Sequence, residues 1–185
     1  MQKILRFLML ALFVVGFTLP AFGKAEAAKV AVLPLVTSEP DDAARRAWIE
    51  ACTDQFKFPE YVLVDDTVMD TAAKEANYAA AAKKGPNEAI IREIMAKTGA
   101  DIGIMMVVDQ LTEEPIRPNS REDYFGLTIK TRIMLVNNIT GIVKKHRVND
   151  YNEVEYSLMV REDYLHKQFK NNCIHELKVV TKEKK

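Results

Sequence analysis

Three short runs constrain this chain most: Lys29 to Val36 (KVAVLPLV), Tyr61 to Val64 (YVLV) and Ile102 to Val108 (IGIMMVV) are apolar and almost uncharged. A strand with one face in water alternates apolar and polar side chains, so runs without alternation suit strands covered on both faces. Such cover needs helices above and below a sheet, and helical patterns fill the intervals between the runs. After the first run, Ser38-Glu39-Pro40-Asp41 offers an N-cap candidate and a proline near the first helical position, and Trp48, Cys52 and Phe56 then recur every fourth residue. That spacing predicts a helix over about 41–56. Asp65-Asp66 precede an alanine-rich stretch from Thr67 to Lys84, with Val68, Ala72, Ala76 and Ala79 on one stripe, which reads as a single helix ending at Gly85-Pro86. Asn87 then caps a further helix that buries Ile90, Ile91, Ile94 and Met95, and Gly99 fits the position just beyond its last turn.

The pattern changes after Gln110. Leu111 to Asp123 is polar and holds Pro115 and Pro118, which predicts a long exposed loop. The following strand alternates, with Phe125, Leu127, Ile129, Thr131, Ile133 and Leu135 on one side and Lys130 and Arg132 on the other, so one of its faces is expected to be wet. Turn chemistry at Asn137 to Gly141 sends the chain back as a fifth strand, Ile142 to Tyr151, and the pair forms an antiparallel hairpin. Leu158, Leu165, Phe169, Cys173 and Leu177 make the stripe of a long final helix, beyond which 181–185 is expected to fray. The fold expected is α/β (α+β): a single mixed five-stranded sheet in the order β-α-β-α-α-β-β-β-α, with helices packed on it.

Lys3 and Arg6 precede an apolar run from Phe7 to Leu19 that Pro20 stops, and Ala25-Glu26-Ala27 supplies small residues for cleavage before Ala28. This pattern predicts a secretory signal peptide over 1–27 and a single domain over 28–185, exported to a bacterial periplasm or beyond. Membrane contact is then expected only through that leader before it is cut. With 26 basic residues against 26 acidic ones the formal net charge is zero, which argues against a nucleic-acid partner held by neutralised phosphates.

The strand and helix order, together with KVAVLPLV, YVLVDD, TGADIGIMMVV and the amphipathic strand ending VNNITG, resembles a group of envelope proteins. The group comprises the curli-secretion channel lipoprotein family, the lipoprotein activators of penicillin-binding proteins and the amino-terminal domain of TolB. The resemblance spans nearly the whole of 28–185. It implies a non-catalytic interaction or assembly module of the cell envelope, without cofactor, whose partner is an envelope protein or a further copy of the chain. This sequence departs from the lipoprotein members in having no acylated cysteine after the apolar run, and it has no room for TolB's propeller.

Several groups of residues are candidates for function. Ile116, Arg117, Arg121, Tyr124 and Phe125, in and beside the proline-broken loop, combine exposure with the Arg and aromatic types enriched at binding hot spots. The same stretch also reads as a solvated connector. Strand five, if it lies at the sheet edge, offers unpaired backbone groups to a partner strand, unless Lys144, Lys145 and Arg147 guard that edge. Asp65, Asp66, Asp101 and Asp109 fall at strand ends, where open α/β sheets bind ligands. Capping explains Asp66 and turn chemistry explains Asp101, which leaves Asp65 with Asp109 as the pair for an alternative function: a small-molecule binder or weak hydrolase. Cys52 and Cys173, the two thiols, fall on apolar stripes and read either as buried reduced cysteines or as a disulfide closed in an oxidising compartment. His166 and His175 lie nine residues apart on one helix and point to opposite sides. No C-x-x-C, H-x-x-x-H, G-x-S-x-G or glycine-rich phosphate loop occurs, so no catalytic, metal or cofactor residue is assigned.

Overall fold

A computed structural model of the chain describes residues 26–38, 41–82, 84–116, 124–155 and 161–182. The element order is β1 (Ala28–Val32), α1 (Asp42–Gln55), β2 (Tyr61–Leu63), α2 (Asp66–Glu75), α3 (Tyr78–Ala82), α4 (Glu88–Thr98), β3 (Ile102–Pro115), β4 (Tyr124–Asn137), β5 (Ile142–Glu155) and α5 (Arg161–Thr181). The strands form one sheet ordered β2-β1-β3-β4-β5. β1 runs parallel to β2 and to β3, while β3, β4 and β5 make an antiparallel meander.

The first and third uncharged runs are covered on both faces, as their composition requires, whereas β2, an outer strand, leaves Val62 46% exposed. On one face Val30, Ile104, Met106, Ile133 and Leu135 meet Trp48 and Cys52 of α1 and Phe169, Cys173 and Leu177 of α5. On the other, Ala31, Leu33, Met105, Val107, Met134 and Val136 meet Met69, Ala72 and Ala73 of α2 and Ile91, Ile94 and Met95 of α4. Trp48, 1% exposed, donates its indole N–H to the Leu33 carbonyl at 3.0 Å, so the bulkiest side chain of the first core is buried with its one polar atom satisfied.

Local chemistry sets most helix ends. Asp41 caps α1 by accepting from Ala44 N–H at 2.8 Å, and Asn87 caps α4 by accepting from Ala89 N–H at 2.9 Å. Gly99 ends α4 in the left-handed region at φ +63°, which a residue without Cβ adopts freely. Asp65 caps α2 through Thr67, so the capping role expected of Asp66 belongs to its neighbour and Asp66 is the first helical residue.

Four expectations need correction. The alanine-rich stretch is two helices, because Asn77 takes φ +50° and breaks the ladder between α2 and α3; asparagine enters that region more readily than most residues. The first strand stops at Val32, and the chain rejoins the sheet only as a bridge between Val36 and Val107. The expected loop begins too early: Leu111 to Pro115 continues β3, in register with Ile129 to Phe125 of β4. β1 pairs with β3 only at Ile102 to Ile104, and the isolated bridge reaches Val107, so the rest of β3 has an open edge where a proline is tolerated. Finally, the outer face of β4 is wet only in part, since Met134 and Val136 lie in the second core while Thr128, Lys130 and Arg132 are half-buried.

Candidate partner-binding surface

Beyond Val108 the sheet consists of the end of β3, the start of β4 and the end of β5. One face still has cover: Leu127 and Ile129 are buried in the first core, with Leu111 and Leu165 packed against it. The opposite face carries Gln110, Thr112 and Glu114 on β3, Thr128 and Lys130 on β4, and Asn149, Tyr151 and Glu153 on β5. Just before it, Arg132, Arg147 and Lys145 lie level with Val107 and Met134 at the border of the second core. Beyond Val108 no apolar side chain is buried on this face among the described residues, and Lys145, Arg147, Asn149, Tyr151 and Glu153 of β5 are all exposed.

Ile116, half-buried, follows β3, and Phe125, also half-buried, sits opposite Pro115 on β4. Tyr124 opens β4 opposite Glu155 of β5. The strands thus bring the two ends of the 116–125 segment together at the tip of the meander; Arg117 and Arg121 lie outside the described residues. β5 is an outer strand of the sheet, which meets the condition set for it as a pairing edge. Lys144 does not point freely from that edge: its ammonium donates to the Lys182 carbonyl just past α5, where a cation complements the helix dipole.

The carboxylates at the strand ends are differently placed. Asp65 accepts from the Thr67 N–H at 2.9 Å and from the Thr67 hydroxyl, and these bonds hold its carboxyl below the usual range. Asp109 sits at the irregularity between Val108 and Gln110 and grips Arg132 with both oxygens, at 2.7 Å from Nε and 2.5 Å from Nη2. That pair is partly solvated, and Arg132 also reaches the Lys84 carbonyl past Gly85, whose φ of +109° and missing Cβ leave room for the guanidinium. β1 stands between the strands that carry the two acids. The crevice expected at the carboxyl ends of the parallel strands exists beside them, as a cavity of about 360 Å³ at the ends of β1 and β2. Leu33, Trp48 and Met69 line it together with the exposed Arg45, Asp66 and Asp70; Asp65 and Asp109 do not. Asp70 escaped the sequence reading, although it lies one helical turn after Asp66.

Cys52 and Cys173 are free thiols buried in the same core. Burial pushes both thiols well up, the neighbouring Cys173 raises Cys52 further, and the Cys173 thiol lies 3.8 Å from the Met106 sulfur. Neither is poised as a nucleophile, which would need a lowered pKa and access to solvent. Glu176 of α5 also escaped the sequence reading. It is buried under the sheet, where the Thr131 hydroxyl donates to its Oε1, and Oε2 has no partner among the described residues. Desolvation raises its carboxyl to about 7, against the weaker opposing effect of Thr131. His166 bridges α5 to α1 through the Ala43 carbonyl at 3.1 Å and Glu50 at 3.4 Å, while His175 is exposed, consistent with their opposite directions on the helix.

No protein-family model matches the chain, and no curated protein matches it in sequence. Solved structures do resemble it. The hypothetical protein CT253 of Chlamydia trachomatis superposes with a TM-score of 0.50 at 8% identity, covering 84% of this chain and 98% of that one. Lipoprotein GNA1162 of Neisseria meningitidis gives 0.49 at 12% identity, covering 81% and 97%. The LpoB C-terminal domain of Salmonella enterica gives 0.37 at 15%, covering 74% and 93%. Bacterial lipoproteins therefore stand among the structures this chain resembles, and identities this low speak to fold alone.

Proposed function

We propose that the protein is an exported, non-catalytic interaction or assembly module of the bacterial cell envelope, which docks a protein partner through the tip of its β3–β5 meander. The observation that carries this reading is the contrast between the two faces of that meander: α5 covers one, and the other holds exposed polar and basic side chains beside an open edge. A polar sheet face with half-buried Ile116 and Phe125 at its end, framed by arginines in sequence, has the mixture of apolar anchor and charged rim found at protein interfaces. The apolar leader and the resemblance to envelope proteins support an exported, envelope-associated location.

The test combines fractionation with site-specific photo-crosslinking. A photoreactive residue at position 125 is expected to join the chain to one discrete envelope protein, and the adduct is expected to vanish when Arg117, Arg121 and Tyr124 become alanine. Retention of the full-length polypeptide in the cytosol overturns the compartment. An adduct that survives the triple substitution overturns the surface.

The cavity at the ends of β1 and β2 favours a second reading, a binder of small molecules, on the strength of its apolar floor and three charged side chains. A thermal-shift screen separates the two readings: stabilisation by a metabolite that disappears in Asp70→Asn supports the second.

A further inference from the structure

β5 is an outer strand, and its charges are sorted along its length. Lys144, Lys145 and Arg147 occupy its first half, and Asp150 and Glu153 its second. A strand that only needs protection from edge pairing is served by lysines alone, so the acids at its far end call for another explanation. On the uncovered face Lys145, Arg147, Asn149, Tyr151 and Glu153 follow at alternate positions, all exposed. Among the described residues, the charged groups of Lys145, Arg147 and Glu153 have no hydrogen-bond or ion-pair partner within the chain. Arg147 even stands directly opposite Arg132 of β4, an arrangement that folding alone does not favour.

We propose that β5 pairs antiparallel with β5 of a second copy about a twofold axis through Asn149, joining two five-stranded sheets edge to edge. In that register Lys145 lies opposite Glu153 of the second copy, Arg147 opposite its Tyr151, and Asn149 opposite its own equivalent; the symmetry makes each charged contact twice. These contacts lie on the exposed face. On the other face Val148 lies opposite Asp150 and His146 opposite Asn152, so no like charges meet. Neighbouring registers differ in which charges they bring together. An axis through Asp150 sets Arg147 opposite Glu153 and Lys145 opposite Glu155 but places the two Asp150 carboxylates against each other at the axis. An axis through Val148 loses both Lys145 to Glu153 contacts, and a parallel in-register pairing stacks the basic half on the basic half. In the Asp150 register an equimolar mixture of Lys145→Glu and Glu153→Lys would not recover, which separates it from the Asn149 register. The sorted charges of the strand thus favour a second copy as partner and an antiparallel orientation, with the lysines that repel other edges attracting this one. This association is separate from the envelope reading, because it uses the edge of β5 and none of residues 116–125.

Edge pairing buries a modest area, roughly 1,200 Å² or less, and belongs to the weaker class of interfaces. Sedimentation velocity on the protein as it accumulates in the cell, from about 1 to 300 μM, is therefore expected to show a monomer–dimer equilibrium. Lys145→Glu alone and Glu153→Lys alone each place two like-charged pairs across the axis, and each is expected to weaken dimerisation by roughly tenfold or more. An equimolar mixture of the two variants restores both attractive pairs and is expected to form the heterodimer with close to wild-type affinity. Hydrogen exchange supplies a second readout, in which β5 amides gain protection as the wild type is concentrated. A wild type that stays monomeric throughout, single variants that dimerise unchanged, or a mixture that fails to recover overturns the proposal. A chain that dimerises in this way but yields no adduct from position 125 keeps this inference and loses the preceding one.

Discussion

The two halves of the sheet are built on different terms. Where β1 and the first residues of β3 run side by side, helices close both faces, and even the acid Asp65 at the end of the neighbouring β2 is absorbed in capping α2. Where β3, β4 and β5 continue beyond Val108, one face packs into the first core and, among the described residues, the opposite face is polar. The first half spends its side chains on stability, because a residue buried on both sides of a sheet has no freedom to be anything but apolar. The second half stands on one hydrophobic face and keeps the other available, which is the arrangement that lets a small domain present an interface without weakening its core.

Substitutions in the doubly covered half test that division most sharply. Trp48→Ala removes the largest buried side chain of the first core and the hydrogen bond to Leu33, and should destabilise by about 3–5 kcal/mol. Denaturant unfolding followed by circular dichroism measures it. A cost under about 1 kcal/mol would mean that α1 is not the anchor of this half.

Glu176 tests the single covered face of the other half. Its carboxyl is raised from its ordinary value of 4.5 to about 7, so the folded state favours the protonated form. The sign follows: this group's stabilisation is complete below about pH 4.5 and is lost as pH rises through 7, a swing of roughly 3 kcal/mol. Unfolding curves at pH 5 and pH 8 should show that fall, and Glu176→Gln should flatten it. Equal slopes in both proteins would place the titration elsewhere.

Much of this organisation is legible in the sequence, and the failures have physical causes. The uncharged runs and the alternation of Leu127, Ile129, Ile133 and Leu135 are local signals, since burial on two faces or on one leaves its period in the chain. Pro115 misled because a proline signals a loop only where a strand needs neighbours on both sides, and the open edge of β3 depends on how far β1 reaches. Asn77 looks like any polar helix residue until its backbone angle is known. Glu176 sits beside Leu177 and three residues after Cys173, so the helical spacing places it near the buried stripe, but its chemistry argued for water. The pairing of Asp109 with Arg132 and the proximity of Cys52 to Cys173 are tertiary facts, and no spacing rule contains them.

Asp109→Asn reaches the border between the two halves. It breaks a two-point contact that is about one-third exposed, so screening limits the loss to about 1 kcal/mol, visible as a small shift in the unfolding midpoint. A shift of several kcal/mol would show that the Arg132 guanidinium, held against the Lys84 carbonyl, fixes the α3 to α4 connection as well as the sheet.

The smallest expected effect discriminates most between the two regions. Arg147 lies fully on the open face, opposite Arg132, whose charge Asp109 only partly offsets. If the face exists for contact, Arg147→Ala should change unfolding stability by no more than about 0.5 kcal/mol, with relief of the cross-strand repulsion pushing the change toward stabilisation. Self-association, read by sedimentation, should weaken in the same variant, because the arginine loses its place over Tyr151 of the second copy. A residue that mattered to the fold would move both measurements together. Only a side chain kept for a partner separates them, and a variant that loses stability while dimerising normally would assign Arg147 to the fold and close the distinction between the two faces.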